Sequence, residues 1–385
     1  MRKRTLVSGA VAVLLALILV ACVGGSFFPG GAVVVYPIIP KFLVAVDGSG
    51  AGTNVNVFPV NATTGVLGAA VVGSPFDMGL TDGMTLAVHP NGKFVYAADG
   101  SDGSIHAWNV SETTGVPTQI AAKVVNESGK FYEPCCGPGT APTHVITITP
   151  NGKYLYSGNN DATVGAYKIN TDGSLTHIAD LNIGACVTGA ITANNSYVWV
   201  NDTCGNAGPW NVWTLAIGPT GALTNSSSVA LVGVDSFLWS IQVNPTANFV
   251  YVGDEGGGAQ LYSFSYVAAT GALTQLGPQL VENNSSDVRD IAHSPDGKFF
   301  YTTDDADATH VLSVDTATGA ITELAASPYG GGSGQIVVDI TGTFVWEGGS
   351  SQVEGFTRDM TTGALTPIGN TTTANGKALA VGIVR

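Results

Sequence analysis

The sequence predicts an all-β chain, a seven-bladed β-propeller with four-stranded blades. Three observations carry that expectation: two short motifs that alternate along 385 residues, and two chain ends that complete one another. The first motif is His89-Pro-Asn-Gly-Lys-Phe-Val-Tyr96, repeated as Thr149-Pro-Asn-Gly-Lys-Tyr-Leu-Tyr156 and Ser294-Pro-Asp-Gly-Lys-Phe-Phe-Tyr301. Looser copies are Ala193–Trp199, Asn244–Tyr251 and Ile340–Trp346, and a truncated one is Pro40–Val44. Aligned on the first aromatic they fall at Phe42, Phe94, Tyr154, Tyr197, Phe249, Phe299 and Phe344, which makes seven units spaced 43 to 60 residues apart. Repeats of this period that carry strands signal a propeller.

Each element follows from local chemistry. In Pro-Asn/Asp-Gly-Lys, proline presets the first turn dihedral, and Asn or Asp followed by Gly accepts positive φ. Apolar alternation on both sides supplies strands. The second motif, Thr-Gly-x-Leu or a relative, recurs at Thr64–Leu67, Asp172–Leu175, Thr220–Leu223, Thr270–Leu273, Thr318–Ile321 and Thr362–Leu365. It is another glycine turn, so each unit holds four strands, named a (inner) to d (outer). The domain starts with a b strand that lacks its a strand. The chain finishes with Lys377–Val384, an a strand that lacks the rest of its blade. Pairing the two closes blade 1 and removes a sheet edge.

The amino terminus reads as a lipoprotein signal. Arg2, Lys3 and Arg4 precede the uncharged apolar run Leu6–Val20, too short for a comfortable span and placed where a signal peptide belongs. The run ends in Leu19-Val20-Ala21-Cys22, which resembles the bacterial lipobox, in which the cysteine carries the lipids. The expected organisation is a signal peptide at 1–22, a Gly/Pro-rich tether at 23–40 and the propeller at 41–385. Val23 follows the cysteine, where aspartate would resemble an inner-membrane retention signal. The expected location is therefore the cell envelope, at the outer membrane or cell surface, with the periplasm as the alternative.

Without residues 1–22 the chain keeps 11 basic against 28 acidic residues, a formal charge of −17. Phosphate backbones need clustered Lys and Arg, so nucleic acid is excluded as a partner, and anionic lipid would be repelled. Expected partners are a small-molecule ligand or a surface protein, with membrane contact only through the lipid anchor. Cys135, Cys136, Cys186 and Cys204 allow three pairings in an oxidising compartment. A disulfide Cys186–Cys204 is favoured, leaving Cys135 and Cys136 as a vicinal pair or free thiols. No zinc spacing is present, and no cofactor is expected. The acidic turns Asp304-Asp-Ala-Asp307 and Asp47-Gly-Ser-Gly50 could hold calcium through oxygen ligands, although neither completes a calcium-loop pattern.

Strand order places the a–b and c–d turns on one face, and the d–a and b–c loops on the other. Asp47, Asp99, His144, Asn160, Asp202, Asp254, Glu255, Arg289, Asp304 and Asp305 belong to that second face. A channel mouth with converging polar groups is the default site. The insertion Asn126–Thr143 sits beside it.

The recurrence of Pro-Asn/Asp-Gly-Lys-aromatic-x-Tyr with Thr-Gly-x-Leu in seven units over 41–385 resembles the lactonase family of seven-bladed propellers. That family includes 6-phosphogluconolactonases and carboxymuconate-lactonizing enzymes; YVTN-type surface propellers share the first turn. The resemblance implies a lactone hydrolase. It places the family's strand-a histidine at His144, as a base, and its carboxylate at Asn201-Asp202, with Asp202 orienting that base. Where the family has Gly-Pro-Arg-His, this chain has Cys186-Val-Thr-Gly189, and Asp304-Asp305 replaces Asn-Arg. The anion-binding arginines are thus missing, and a phosphosugar lactone needs such cations. The expected substrate is a neutral or sugar-derived lactone, not 6-phosphogluconolactone, with Glu255, Arg289 and Asp305 as ligand-binding candidates. The alternative is a non-catalytic surface propeller for ligand or protein binding, or a structural self-assembling module.

Overall fold

The computed structural model divides the chain into units 1–35 and 36–385. Described residues are 40–48, 53–120, 123–125, 131, 144–184, 188–202, 210–234, 238–254, 258–277, 280–282, 285, 287–349, 352–373 and 378–385. The signal peptide, Cys22 and, apart from Pro40, the tether therefore lie outside the described residues. So do Cys135, Cys136, Cys186, Cys204, Glu255, Lys377 and, apart from Phe131, the Asn126–Thr143 insertion.

Seven antiparallel sheets make up the second unit. Their inner strands are Gly83–Val88, Ile146–Ile148, Thr188–Ala193, Leu238–Val243, Asp290–His293, Ile336–Val338 and Ala378–Val384. The last belongs to blade 1: it pairs with Phe42–Gly48, with Val384 opposite Phe42, and Phe42–Gly48 pairs onward with Thr53–Pro59. Closure by the two ends is thus as the sequence predicts. Blade 1 has only these three described strands, its outer side touched by the isolated bridges Val55–Phe76 and Val60–Leu67. In blades 2, 5 and 6 the outer strand is broken into two short pieces that pair with the same c strand.

The core lies in the joints between blades. Phe42, Val44 and Val46 of blade 1 pack with Leu86, Val95, Ala97 and Trp108 of blade 2, and comparable clusters fill the other joints. The two sequence motifs meet there. Each second-motif glycine sits under the first aromatic of the preceding blade: a Cβ on Gly221 would come within 2.3 Å of the Tyr154 ring, and one on Gly363 within 2.3 Å of Phe299. The next aromatic of the b strand then donates to that glycine's carbonyl. Tyr96 bonds Gly173 at 2.8 Å, Tyr156 bonds Gly221 at 3.0 Å, and Trp199 Nε1 bonds Gly271 at 3.1 Å. Tyr251, Tyr301 and Trp346 repeat this on Gly319, Gly363 and Gly65. Burial forces these hydroxyls to find a partner and holds the Tyr96, Tyr156, Tyr251 and Tyr301 phenols un-ionised, their pKa values raised above the ordinary range.

Candidate functional site at the central channel

The acidic residues that end the b strands turn back onto their own loops. Asp47 accepts from Asn54 N at 3.0 Å and Asn56 Nδ2 at 2.7 Å; Asp254 accepts from Gln260 N and the Tyr262 hydroxyl. Asp304 accepts from Ala306 N and Ala308 N. A short carboxylate at this position satisfies the amides of the b–c turn, which is why it recurs. These carboxylates are buried loop caps. Among the described residues, no group of three or more His, Cys, Asp or Glu side chains is arranged to hold a metal ion.

Asp202 belongs to this set. Asn211 N and Nδ2 donate to it at 2.6 and 3.0 Å, and Trp213 Nε1 at 2.8 Å. Burial raises its pKa above the ordinary carboxylate range, against those hydrogen bonds. His144 is partnered from across the ring instead. Its Nδ1 lies 2.7 Å from Oδ1 of Asp290, which starts the inner strand of blade 6 and is 0% exposed. The two atoms are within hydrogen-bonding distance although the N–H does not point along the line between them. Asp290 itself is fixed by the amides of Ile291 and Ile336, each at 2.8 Å. Burial lowers the His144 pKa, but the negative charge of Asp290 beside it outweighs that and holds the imidazole above its ordinary range.

A second group reaches His144 from blade 7. The Gln335 amide is clamped to the backbone of Leu86 in blade 2, donating to Leu86 O at 2.9 Å and accepting from Leu86 N at 3.2 Å. Its nitrogen also lies 3.3 Å from His144 Nε2. With the amide fixed this way, its second N–H faces Nε2, which favours a lone pair there and the proton on Nδ1. Blades 2, 3, 6 and 7 are thus tied together across the channel by one polar crossbar. Beyond it, a cavity of about 580 Å³ follows the inner strands to the a–b turns. Val88, Thr147, Ile148, Val337, Val338 and Ile383 wall it, His144 and Gln335 border one end, and the exposed Pro90, Pro245, Pro295 and Ile340 border the other. The cavity therefore reaches solvent on the turn face, opposite to the face the sequence pointed to.

Arg289 and Asp305 meet at a third residue, Asp287. Arg289 Nε is 3.0 Å from Asp287 Oδ2, its guanidinium lies 5.0 Å from the Trp239 ring centroid, and Asp305 N donates to Asp287 Oδ1 at 2.8 Å. Burial pushes Asp287 up to about 6, against the pull of Arg289. Blade 6 also buries a charged knot. His310 lies between Glu323 at 2.9 Å and Asp304 at 3.4 Å, with Glu282 4.0 Å away, while Glu347 accepts from Thr309 and Gly332 N.

Asp290 and Gln335 are the residues that local motif reading misses. One signal could have found them: nine residues before the first aromatic, five units carry Thr85, Thr188, Ser240, Asp290 and Gln335, whereas the Tyr154 unit has Val145 there and His144 one residue earlier.

Comparison with known proteins agrees with this architecture. No curated protein matches the sequence. Among solved structures, a candidate 6-phosphogluconolactonase from Bacteroides fragilis NCTC 9343 superposes with TM-score 0.70 at 18% identity, covering 90% of this chain and 98% of that one. Another from Bacteroides uniformis ATCC 8492 gives 0.70 at 17%, over 89% and 98% of the two chains. A Lactobacillus plantarum protein gives 0.65 at 20%, over 90% and 99%. At these identities the likeness is one of fold. The family model described as lactonase, 7-bladed beta-propeller, matches residues 41–190 and 241–381. The unmatched stretch between them covers most of blade 4, which holds Asp202 and lacks the Gly-Pro-Arg-His sequence. With the repeat, the closed ring and the family match in agreement, the chain belongs to the lactonase family of seven-bladed β-propellers.

Proposed function

We propose that this chain is an exported, lipid-anchored lactonase that hydrolyses a small uncharged lactone in its central channel, with His144 as the base and Asp290 as its partner. The observation that carries the reading is the His144–Asp290 pair, 2.7 Å apart, with His144 bordering a cavity that no Lys or Arg lines among the described residues. An anionic substrate would find no counter-charge there, and Arg289 is engaged by Asp287 and Trp239. The 6-phosphogluconolactone suggested by the names of the Bacteroides neighbours is therefore not favoured. In the proposed reaction water adds to the lactone carbonyl as His144 Nε2 takes its proton. The proton then passes to the ring oxygen as the C–O bond breaks, giving the hydroxy acid. Asp290 orients the imidazole and stabilises its cation, and Gln335 keeps the lone pair on Nε2 until the ligand displaces its contact.

The test is a panel of neutral and phosphorylated lactones with wild type, His144→Ala and Asp290→Asn. Neutral lactones are the expected substrates, with at least a hundredfold loss in His144→Ala. In Asp290→Asn the rising limb of the pH–rate profile moves to lower pH, because the anion that raises the imidazole pKa is gone. Equal hydrolysis by wild type and His144→Ala removes the base. A second reading, ligand binding without turnover, is favoured by the contact between Gln335 and His144 Nε2; binding with no hydrolysis of any lactone would establish it. Anchoring is tested separately: Cys22→Ala should abolish incorporation of labelled fatty acid.

A further inference from the structure

We infer that the substrate of this site carries an unbranched aliphatic substituent, which occupies the channel between His144 and the turn face. The inference rests on the lactonase reading for the ring end of the ligand, and on the cavity for the rest. Four residues of inner strand separate His144 from Ile148, about 13 Å of depth at roughly 3.3 Å per residue. About 580 Å³ is far more than a bare five- or six-membered lactone fills, and it falls within the usual range for ligand sites. The added space is mainly aliphatic: Val88, Ile148, Val337, Val338 and Ile383 are half-buried along it, with Thr147 and Gln242 among them.

Three of the polar groups along it are turned to other partners. Gln242 Oε1 accepts from Thr192 at 2.6 Å. Asp339, the single carboxylate among the described residues of the lining, accepts from Thr341 N, Thr343 N and Phe344 N. His89 Nε2 contacts Gly152 O at 2.9 Å. A polar or branched sugar would find few partners for its hydroxyls beyond Thr147 and the Gln242 amide nitrogen, whereas an alkyl chain loses little by entering. The mouth is wide of charge as well, bordered by Pro90, Pro245, Pro295 and Ile340, so the chain end can reach solvent there.

The experiment uses residues 36–385, which hold the complete closed ring. Binding of a series of 2-alkylcyclopentanones, non-hydrolysable stand-ins for the lactone ring, is measured by calorimetry from the unsubstituted ketone to the decyl compound. Affinity should rise about threefold to fourfold per methylene until the chain reaches the mouth, then level off. Ile148→Trp, folded by circular dichroism, should flatten the series; the wild-type series decides the matter even where that variant does not fold. A flat wild-type series overturns the inference. The two proposals fail separately: chain-dependent binding without turnover removes the hydrolase and keeps the channel, and turnover indifferent to chain length does the reverse.

Discussion

Replacing Gly221 by alanine tests whether the two sequence motifs are partners across the blade joint. Gly221 has φ of +90°, which costs an L residue about 1–2 kcal/mol. Its Cβ would also stand 2.3 and 2.4 Å from two atoms of the Tyr154 ring and 2.9 Å from Ile178 Cδ1, so the ring must move. Overpacking of this kind adds about 1–3 kcal/mol. The expected total is about 2–5 kcal/mol. Gly184 is the internal control. It has φ of +71° and nothing within 4 Å of a built Cβ, so Gly184→Ala should cost only the conformational part, about 1–2 kcal/mol. Urea unfolding followed by tryptophan fluorescence measures both. A Tyr154→Val, Gly221→Ala pair should then recover part of the loss, with a coupling of about 1–3 kcal/mol. Equal costs for the two glycines, or no coupling with Tyr154, would refute the argument.

Further expectations follow from the same contacts. Tyr301 donates to Gly363 O at 3.2 Å and accepts from Arg358 Nε at 2.7 Å, so Tyr301→Phe should destabilise by about 1.5–3 kcal/mol and Tyr96→Phe, with one neutral bond, by about 1. Asp202→Ala strands three half-buried donors and should lower stability by about 1–3 kcal/mol in the same unfolding assay, as a loop cap would. The buried knot of blade 6 sets an alkaline limit. Burial pushes Glu282 and Glu347 up to about 8, and although burial opposes it, the surrounding carboxylates carry His310 up to about 10. All three folded values exceed the unfolded ones, so their stabilisation is complete at low pH and is lost as pH rises through about 8 and then 10. Melting temperature should fall from pH 7 to 10, less steeply in Glu282→Gln; a flat profile in wild type contradicts the assignment.

Fold and ring closure were legible because they rest on local chemistry. A Pro-Asn-Gly turn needs only its own residues, and the unpaired a strand at Ala378–Val384 has one place to go. The partnership of the motifs was not legible: Tyr156 and Gly221 are 65 residues apart, and each is explained well enough by its own blade. The acidic mouth misled for a related reason. Composition shows that Asp47, Asp202, Asp254 and Asp304 collect at the ends of b strands, but not that their side chains turn back into the loops. His144 was found through family resemblance, and Asp202 was assigned beside it. The partner it has, Asp290, comes from blade 6, and the two stand at different repeat positions, ten and nine residues before the first aromatic, so the repeat does not pair them.

One joint departs from the pattern. At the position of the donating aromatic, blade 1 has Val44, which cannot bond the carbonyl of Gly115 in blade 2, although Phe42 still covers that glycine. The same blade is the one assembled from both termini, with only three described strands. Seam and unbolted joint thus lie side by side. Amide exchange should begin there and spread outward in both directions, so that the protein yields as a ring cut at one point and unrolled, rather than as seven blades loosening together.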